Sequence, residues 1–257
     1  MTSEPVFIEF GPVSQGLPLP SRDDAPREYA EDVVTRLRED AEQIMGRYPD
    51  TRSALLPLLH LVQSEDGYIT PAGVAFCADC LELSVAEVAA VATFYSMYRR
   101  EPTGEYLVGV CTNTLCAIMG GDAILAALED HLGVASGDTT GDAKITVEHI
   151  ECNAACDFAP VMMVNWEFFD NSTPESARTL VDELRSGKPV TPTRGATLCT
   201  FKETARILAG FPDRRPGASD AEVRPQTIAG LRVAQERAMT APKIPENGRG
   251  AGQSGGE

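Results

Sequence analysis

Four cysteines constrain this chain more than any of its other residues. Cys111 and Cys116 form a C-x4-C pair, and Cys152 and Cys156 form a C-x3-C pair. Each pair follows an apolar run that reads as a β-strand, residues 106–110 before the first and 145–150 before the second. Two close pairs joined by the fold can grip one ion or cluster from two sides. Four thiolates select zinc or an iron–sulfur centre over calcium or magnesium, which prefer oxygen. Where the fold sets the two strands side by side, their end loops can converge on one ion or cluster. Strand-end loops also leave backbone N–H groups free to donate to sulfur, which stabilises a negatively charged site. Zinc knuckles prefer C-x2-C. A C-x4-C pair also opens the plant-type [2Fe–2S] spacing, but the C-x2-C that follows it there is absent here. Spacing alone leaves three readings open: an iron–sulfur centre, a zinc site, and unrelated buried thiols.

A chain of 257 residues, 43% hydrophobic and 23% charged, has the composition of a globular protein with a real core. No run of about 18 apolar residues exists, so no transmembrane helix is expected. The N-terminal Met-Thr-Ser-Glu-Pro lacks a basic, then apolar, leader, so a cytoplasmic protein with reduced thiols is expected. Seven cysteines, an odd number, also argue against a disulfide framework. The net charge of −16 speaks against nucleic acid as a partner. Acidity peaks in residues 101–200, which hold 5 basic and 15 acidic residues, with no lysine or arginine between Arg100 and Lys144. Such a face is either a solvated surface or a dock for a basic partner.

Residues 1–28, with five prolines, read as an extended N-terminal arm. Four helices follow in residues 29–100. The first carries Val33, Val34, Leu37, Ala41, Ile44 and Met45 on one face. A leucine-rich helix spans 53–66, Thr70-Pro71 opens a third to about Leu81, and a Ser84–Glu87 capping box opens a fourth through about Met97. Residues 101–195 then read as β-α-β-β-β-α, which suggests a thioredoxin-like domain. Residues 196–257 form an irregular C-terminal extension, with short helices expected at 201–209 and 226–238 and a disordered end. The expected fold class is therefore α+β: a helical bundle, then a thioredoxin-like α/β domain, then the extension.

Three segments carry a resemblance to a known family. They run from Tyr68-Ile-Thr-Pro through Ala92-Thr-Phe-Tyr-Ser-Met, then Cys111-Thr-Asn-Thr-Leu-Cys116, then Cys152-Asn-Ala-Ala-Cys156-Asp-Phe-Ala-Pro-Val-Met-Met163. Over roughly residues 29–195 the chain resembles the thioredoxin-like [2Fe–2S] subunits of respiratory complex I and of related NAD-linked hydrogenases and formate dehydrogenases. The resemblance implies that Cys111, Cys116, Cys152 and Cys156 ligate one [2Fe–2S] cluster, which exchanges single electrons with FMN. It also implies that FMN and NADH sit on a partner subunit, with an iron–sulfur-rich large subunit in the same module. The whole would form the peripheral arm of a membrane-bound NADH:quinone oxidoreductase. An all-thiolate centre in an acidic domain is expected to have a low potential, near about −400 mV or below. A zinc-stabilised interaction module is the alternative of another class. One departure stands out: the family has Gly two residues after its third cysteine, and here that residue is Ala154.

Other residues read more plainly. Cys77 and Cys80 form a C-x-x-C late in a helix, whereas a reactive pair opens a helix after a strand, so ordinary thiols are expected. Cys199 is expected to be structural. His60, His131 and His149 are dispersed and read as packed or surface residues. Ala159-Pro160, just before a strand, is expected to be cis. No Walker loop or Ser/Cys–His nucleophile is present, and no glycine-rich dinucleotide loop links a strand to a helix. The basic tail is expected to lie across neighbouring subunits.

Overall fold

The computed structural model describes residues 25–152, 154–218 and 228–239. The expected arm at 1–28 and the expected disordered end lie almost wholly outside these residues. Residues up to 221 form one unit, and the stretch from 222 onward forms another.

Four helices open the first unit: α1 (Glu31–Met45), α2 (Leu55–Asp66), α3 (Pro71–Leu81) and α4 (Val85–Phe94). Their starts follow the capping signals. The Thr70 hydroxyl accepts from the Gly73 N–H with Pro71 at the first helical position, and Ser84 and Glu87 form a reciprocal box. The apolar faces meet in a core built on Leu37, Ile44, Leu58, Leu59, Leu61 and Val88. Helix α4 ends at Phe94, three residues before the expected Met97. The cause is Gln63, fully buried on α2. Its Nε2 donates to the Met97 carbonyl at 3.1 Å and its Oε1 accepts from the Arg99 N–H at 2.8 Å. A buried amide needs both ends satisfied, and this one holds residues 97–99 outside the helix.

A four-stranded sheet follows in the order β2-β1-β3-β4, made of β1 (Tyr106–Cys111), β2 (Ile145–Ile150), β3 (Met162–Val164) and β4 (Glu167–Phe169). β1 and β2 are parallel, whereas β3 pairs antiparallel with both β1 and β4. Helices α5 (Thr114–Ile118) and α6 (Gly121–Leu132) connect β1 to β2, and α7 (Pro174–Arg185) follows β4. Ile124 and Leu128 of α6 and Val181 and Leu184 of α7 pack on Val108, Val110, Ile145 and Val147. The expected strand and helix order is observed, with the short α5 added between β1 and α6. The Ala159-Pro160 peptide is cis, as expected.

Helix α8 (Phe201–Leu208) packs on its own unit, so the start of the tail does not lie across a neighbouring subunit as expected, while most of the tail beyond residue 218 lies outside the described residues. Phe201 is buried beside Trp166, with ring centroids 5.3 Å apart, and its N–H donates to the Glu105 carbonyl at 2.8 Å. Arg206 makes two bonds to Asp40 of α1, at 2.7 and 3.1 Å. Lys202 donates to the Glu65 carbonyl at the end of α2. One short helix thus ties the bundle to the sheet. In the second unit, α9 (Ala229–Glu236) stands within the expected 226–238 and has no buried residue.

Two stability measurements test this packing. Phe201→Ala should cost about 3–5 kcal/mol in urea unfolding of the metal-free chain, as large aromatic truncations in cores do; a loss below about 1 kcal/mol would contradict the tie. His60, buried on α2 with Nδ1 lacking a partner among the described residues, is pushed down to about 4 by burial. Between that value and the ordinary histidine value of about 6.5 the unfolded chain binds more protons than the folded one, so stability falls as pH falls. This histidine should account for a loss of about 2 kcal/mol between pH 7 and pH 5, absent in His60→Gln. An identical pH dependence in both chains would refute it.

Candidate metal centre

The two cysteine loops meet at the carboxyl ends of the parallel pair. Cys111 is the last residue of β1 and stands opposite Ile150, the last residue of β2. Asn113 caps α5 by accepting from the Thr114 N–H at 2.8 Å, and Cys116 lies within that one-turn helix. The expected open loop there is a helical turn, and Asn113 is the sequence signal for it. Gly121, at the start of α6, explains how closely this turn folds back. A Cβ there would stand 2.3 Å from the Cys111 carbonyl oxygen and 2.9 Å from that of Cys116, so only glycine allows the approach.

The sulfurs of Cys111, Cys116 and Cys152 all lie within 4.8 Å of one another, and all three residues are buried. Ala155, Ala159 and Val161 complete their apolar surround, with Phe168 packed against it. Cys156 is exposed and starts a short 3-10 turn ending at Phe158. Of the four expected ligands, the structure brings three together and leaves the fourth at the surface, four residues along the same loop.

Backbone amides point at the sulfurs. Burial raises the Cys111 thiol, but the N–H groups of Asn113 and Cys152 and the neighbouring thiols outweigh it and hold it below the ordinary value. Burial and the Cys111 sulfur raise Cys116, against the Val161 N–H. Burial and Cys111 push Cys152 up to about 12, against the Ala155 N–H. Without a metal, these thiols cannot all ionise together. A cation or cationic cluster core removes that conflict, because thiolate ligands are deprotonated on binding. Soft donors, a dry surround and amides aimed at sulfur fit a [2Fe–2S] group held by thiolates.

Ala154 has φ 64°, in the left-handed region that favours glycine. The other candidates stay apart from the site. Cys77 is fully buried in the helical core and burial raises its thiol, as it raises that of Cys80. The Cys199 sulfur lies 3.3 Å from the Thr204 hydroxyl. His131 pairs with Asp182, and His149 is exposed.

Comparison with known proteins agrees with this geometry. The family model described as thioredoxin-like [2Fe-2S] ferredoxin matches residues 41–185. The E subunits of NADH-quinone oxidoreductase from Mycobacterium tuberculosis (strain ATCC 25618 / H37Rv) and Mycobacterium bovis are both 63% identical over 242 residues, which is 94% of this chain and 96% of theirs. The E subunit numbered 2 of the NADH-quinone oxidoreductase of Rhizobium meliloti is 35% identical over 155 residues, 60% of this chain and 92% of its own length.

The strained position can be tested directly. Ala154→Gly should raise the stability of the metal-free chain by up to about 1 kcal/mol in denaturant unfolding, because it relieves the left-handed alanine while adding unfolded-state entropy. A destabilised Gly variant would contradict the assigned backbone.

Proposed function

The chain belongs to the thioredoxin-like [2Fe–2S] ferredoxin family, and from that premise we propose that it is the [2Fe–2S] electron-transfer component of an NADH-quinone oxidoreductase. The observation that carries the reading is the convergence of Cys111, Cys116 and Cys152 at the ends of two parallel strands. Cys156, the exposed member, supplies the fourth thiolate. When bound, the [2Fe–2S] group supplies one-electron transfer without making or breaking a bond in substrate.

The protein's part is to bind, orient and shield. Rigid strand ends fix Cys111 and the entry to Cys152, while the Gly121 approach fixes Cys116. Amides of Asn113, Cys152, Ala155 and Val161 offset the negative charge that thiolate ligands bring. Val161, Ala155 and Ala159 keep water from the three inner sulfurs. Cys156 leaves one side of the site open to solvent, and that is the side from which a partner's redox group can approach.

On this reading FMN and NADH are held by a flavin- and NADH-binding partner, with the iron–sulfur-rich large subunit in the same module. Among the described residues no helix is long and apolar enough to cross a membrane, which suits a place in the peripheral arm. The 63% identity to the mycobacterial relatives, in an alignment that covers 94% of the chain, favours this assembly over an NAD-linked hydrogenase or formate dehydrogenase.

Cysteine substitution tests the ligand set. Cys111→Ser and Cys156→Ser should each abolish or strongly alter the EPR signal of the reduced, iron–sulfur-loaded chain, while Cys77→Ser leaves it unchanged. A wild-type signal from Cys156→Ser would remove that residue from the ligand set.

A further inference from the structure

Neither stretch that carries the cysteines supplies a positive charge: residues 101–143 and 145–177 contain no lysine or arginine. A cation nevertheless stands beside the site, and it comes from the segment after α7. Arg194 lies outside the residues 41–185 that the family model matches. Its Cζ sits 4.6 Å from the ring centroid of Phe168 and 5.2 Å from that of Phe158. Phe168 packs on the group formed by Cys111, Cys116 and Cys152, while Phe158 ends the turn that begins at Cys156. The guanidinium therefore joins the sheet side of the site to the exposed turn.

The same guanidinium is locked in place by Asp170. Its Nε donates to Oδ2 at 3.0 Å and its Nη2 to Oδ1 at 2.6 Å. The Asp170 side chain is only 2% exposed, so water cannot replace the arginine. Next door, the Thr193 N–H and hydroxyl both donate to the Phe168 carbonyl, at 2.9 and 2.8 Å, and the Asp170 N–H donates to the Thr193 hydroxyl at 3.1 Å. These bonds fix the backbone that presents Arg194.

We propose that Arg194 is a positioning residue of the cysteine site, which clamps the Cys156 turn against β4 and neutralises the buried Asp170 carboxylate beside it. The proposal rests on the [2Fe–2S] reading above. The paired bonds to Asp170 hold the guanidinium in its charged form, a fixed positive charge beside the site. Loss of the arginine removes a positive charge beside a negative centre, which opposes the arrival of an electron. Lysine keeps the charge but loses the fork and the ring stacking.

The test compares the iron–sulfur-loaded full chain with Arg194→Gln, Arg194→Lys, and Arg194→Gln combined with Asp170→Asn. Three readouts are needed: the midpoint potential by EPR-monitored titration, the rate of cluster loss to a chelator, and hydrogen exchange at residues 154–159 of the metal-free chain. Arg194→Gln should lower the potential, speed cluster loss several-fold and speed exchange in the turn. Adding Asp170→Asn should return the potential towards wild type without restoring slow exchange. Arg194→Lys should keep the potential while losing the cluster faster. A Gln variant matching wild type in potential and loss rate would overturn the proposal. Should that variant fail to fold, the Lys variant decides by the same loss rate and exchange, and unchanged values overturn it. A wild-type chain without an EPR-active cluster would instead sink the [2Fe–2S] reading, and the exchange data would still judge the clamp.

Discussion

Across the parallel ladder Cys111 faces Ile150, so β1 and β2 end level and both chains leave the sheet at the same edge. That register places Cys111 on the last rung and Cys152 two residues past it. Antiparallel β3 brings the third thread: the Cys111 N–H donates to the Val161 carbonyl at 3.0 Å, and the Val161 N–H points at the Cys116 sulfur. A slip of one residue in either pairing would turn every side chain to the opposite face and separate the thiols. Loops at the carboxyl ends of parallel strands are a general place for ligands in open α/β sheets, and here the apolar strands carry that geometry.

Two separate cores support the arrangement, one among α1–α4 and one between the sheet and α6–α7. Their seam is narrow and specific. Gln63 binds the connecting backbone from the bundle side, while α8 returns from beyond the domain to place Phe201 against Trp166 and Arg206 against Asp40. Arg206 also lies 4.0 Å above the Phe211 ring, which packs on the bundle. The C-terminal segment thus packs on its own unit from Phe201 to Phe211, and Arg194 likewise returns to the cysteine site from beyond α7.

Much of this is legible in the sequence because local chemistry and tertiary demand agree. Val-rich and Ile-rich runs ended by cysteine read as strands, capping residues mark where helices start, and a proline after Ala159 marks the turn before β3. The features that escape a sequence reading are set by residues far away in the chain. The end of α4 depends on Gln63, and no local signal near Met97 reveals it. The turn that carries Cys116 depends on Gly121, whose need becomes visible only when the Cys111 and Cys116 carbonyls are seen against it. Arg194 comes from a segment whose place beside the cysteines only the fold reveals. Ala154 is the departure visible in the sequence itself, and it takes a positive φ that glycine adopts more readily.

We propose that four thiolates on two strand-end loops hold one [2Fe–2S] group. Metal and sulfide analysis of the purified full-length chain tests it most directly. Iron and acid-labile sulfide are expected in equal amounts, about two of each per chain. About one zinc per chain with no sulfide would contradict it.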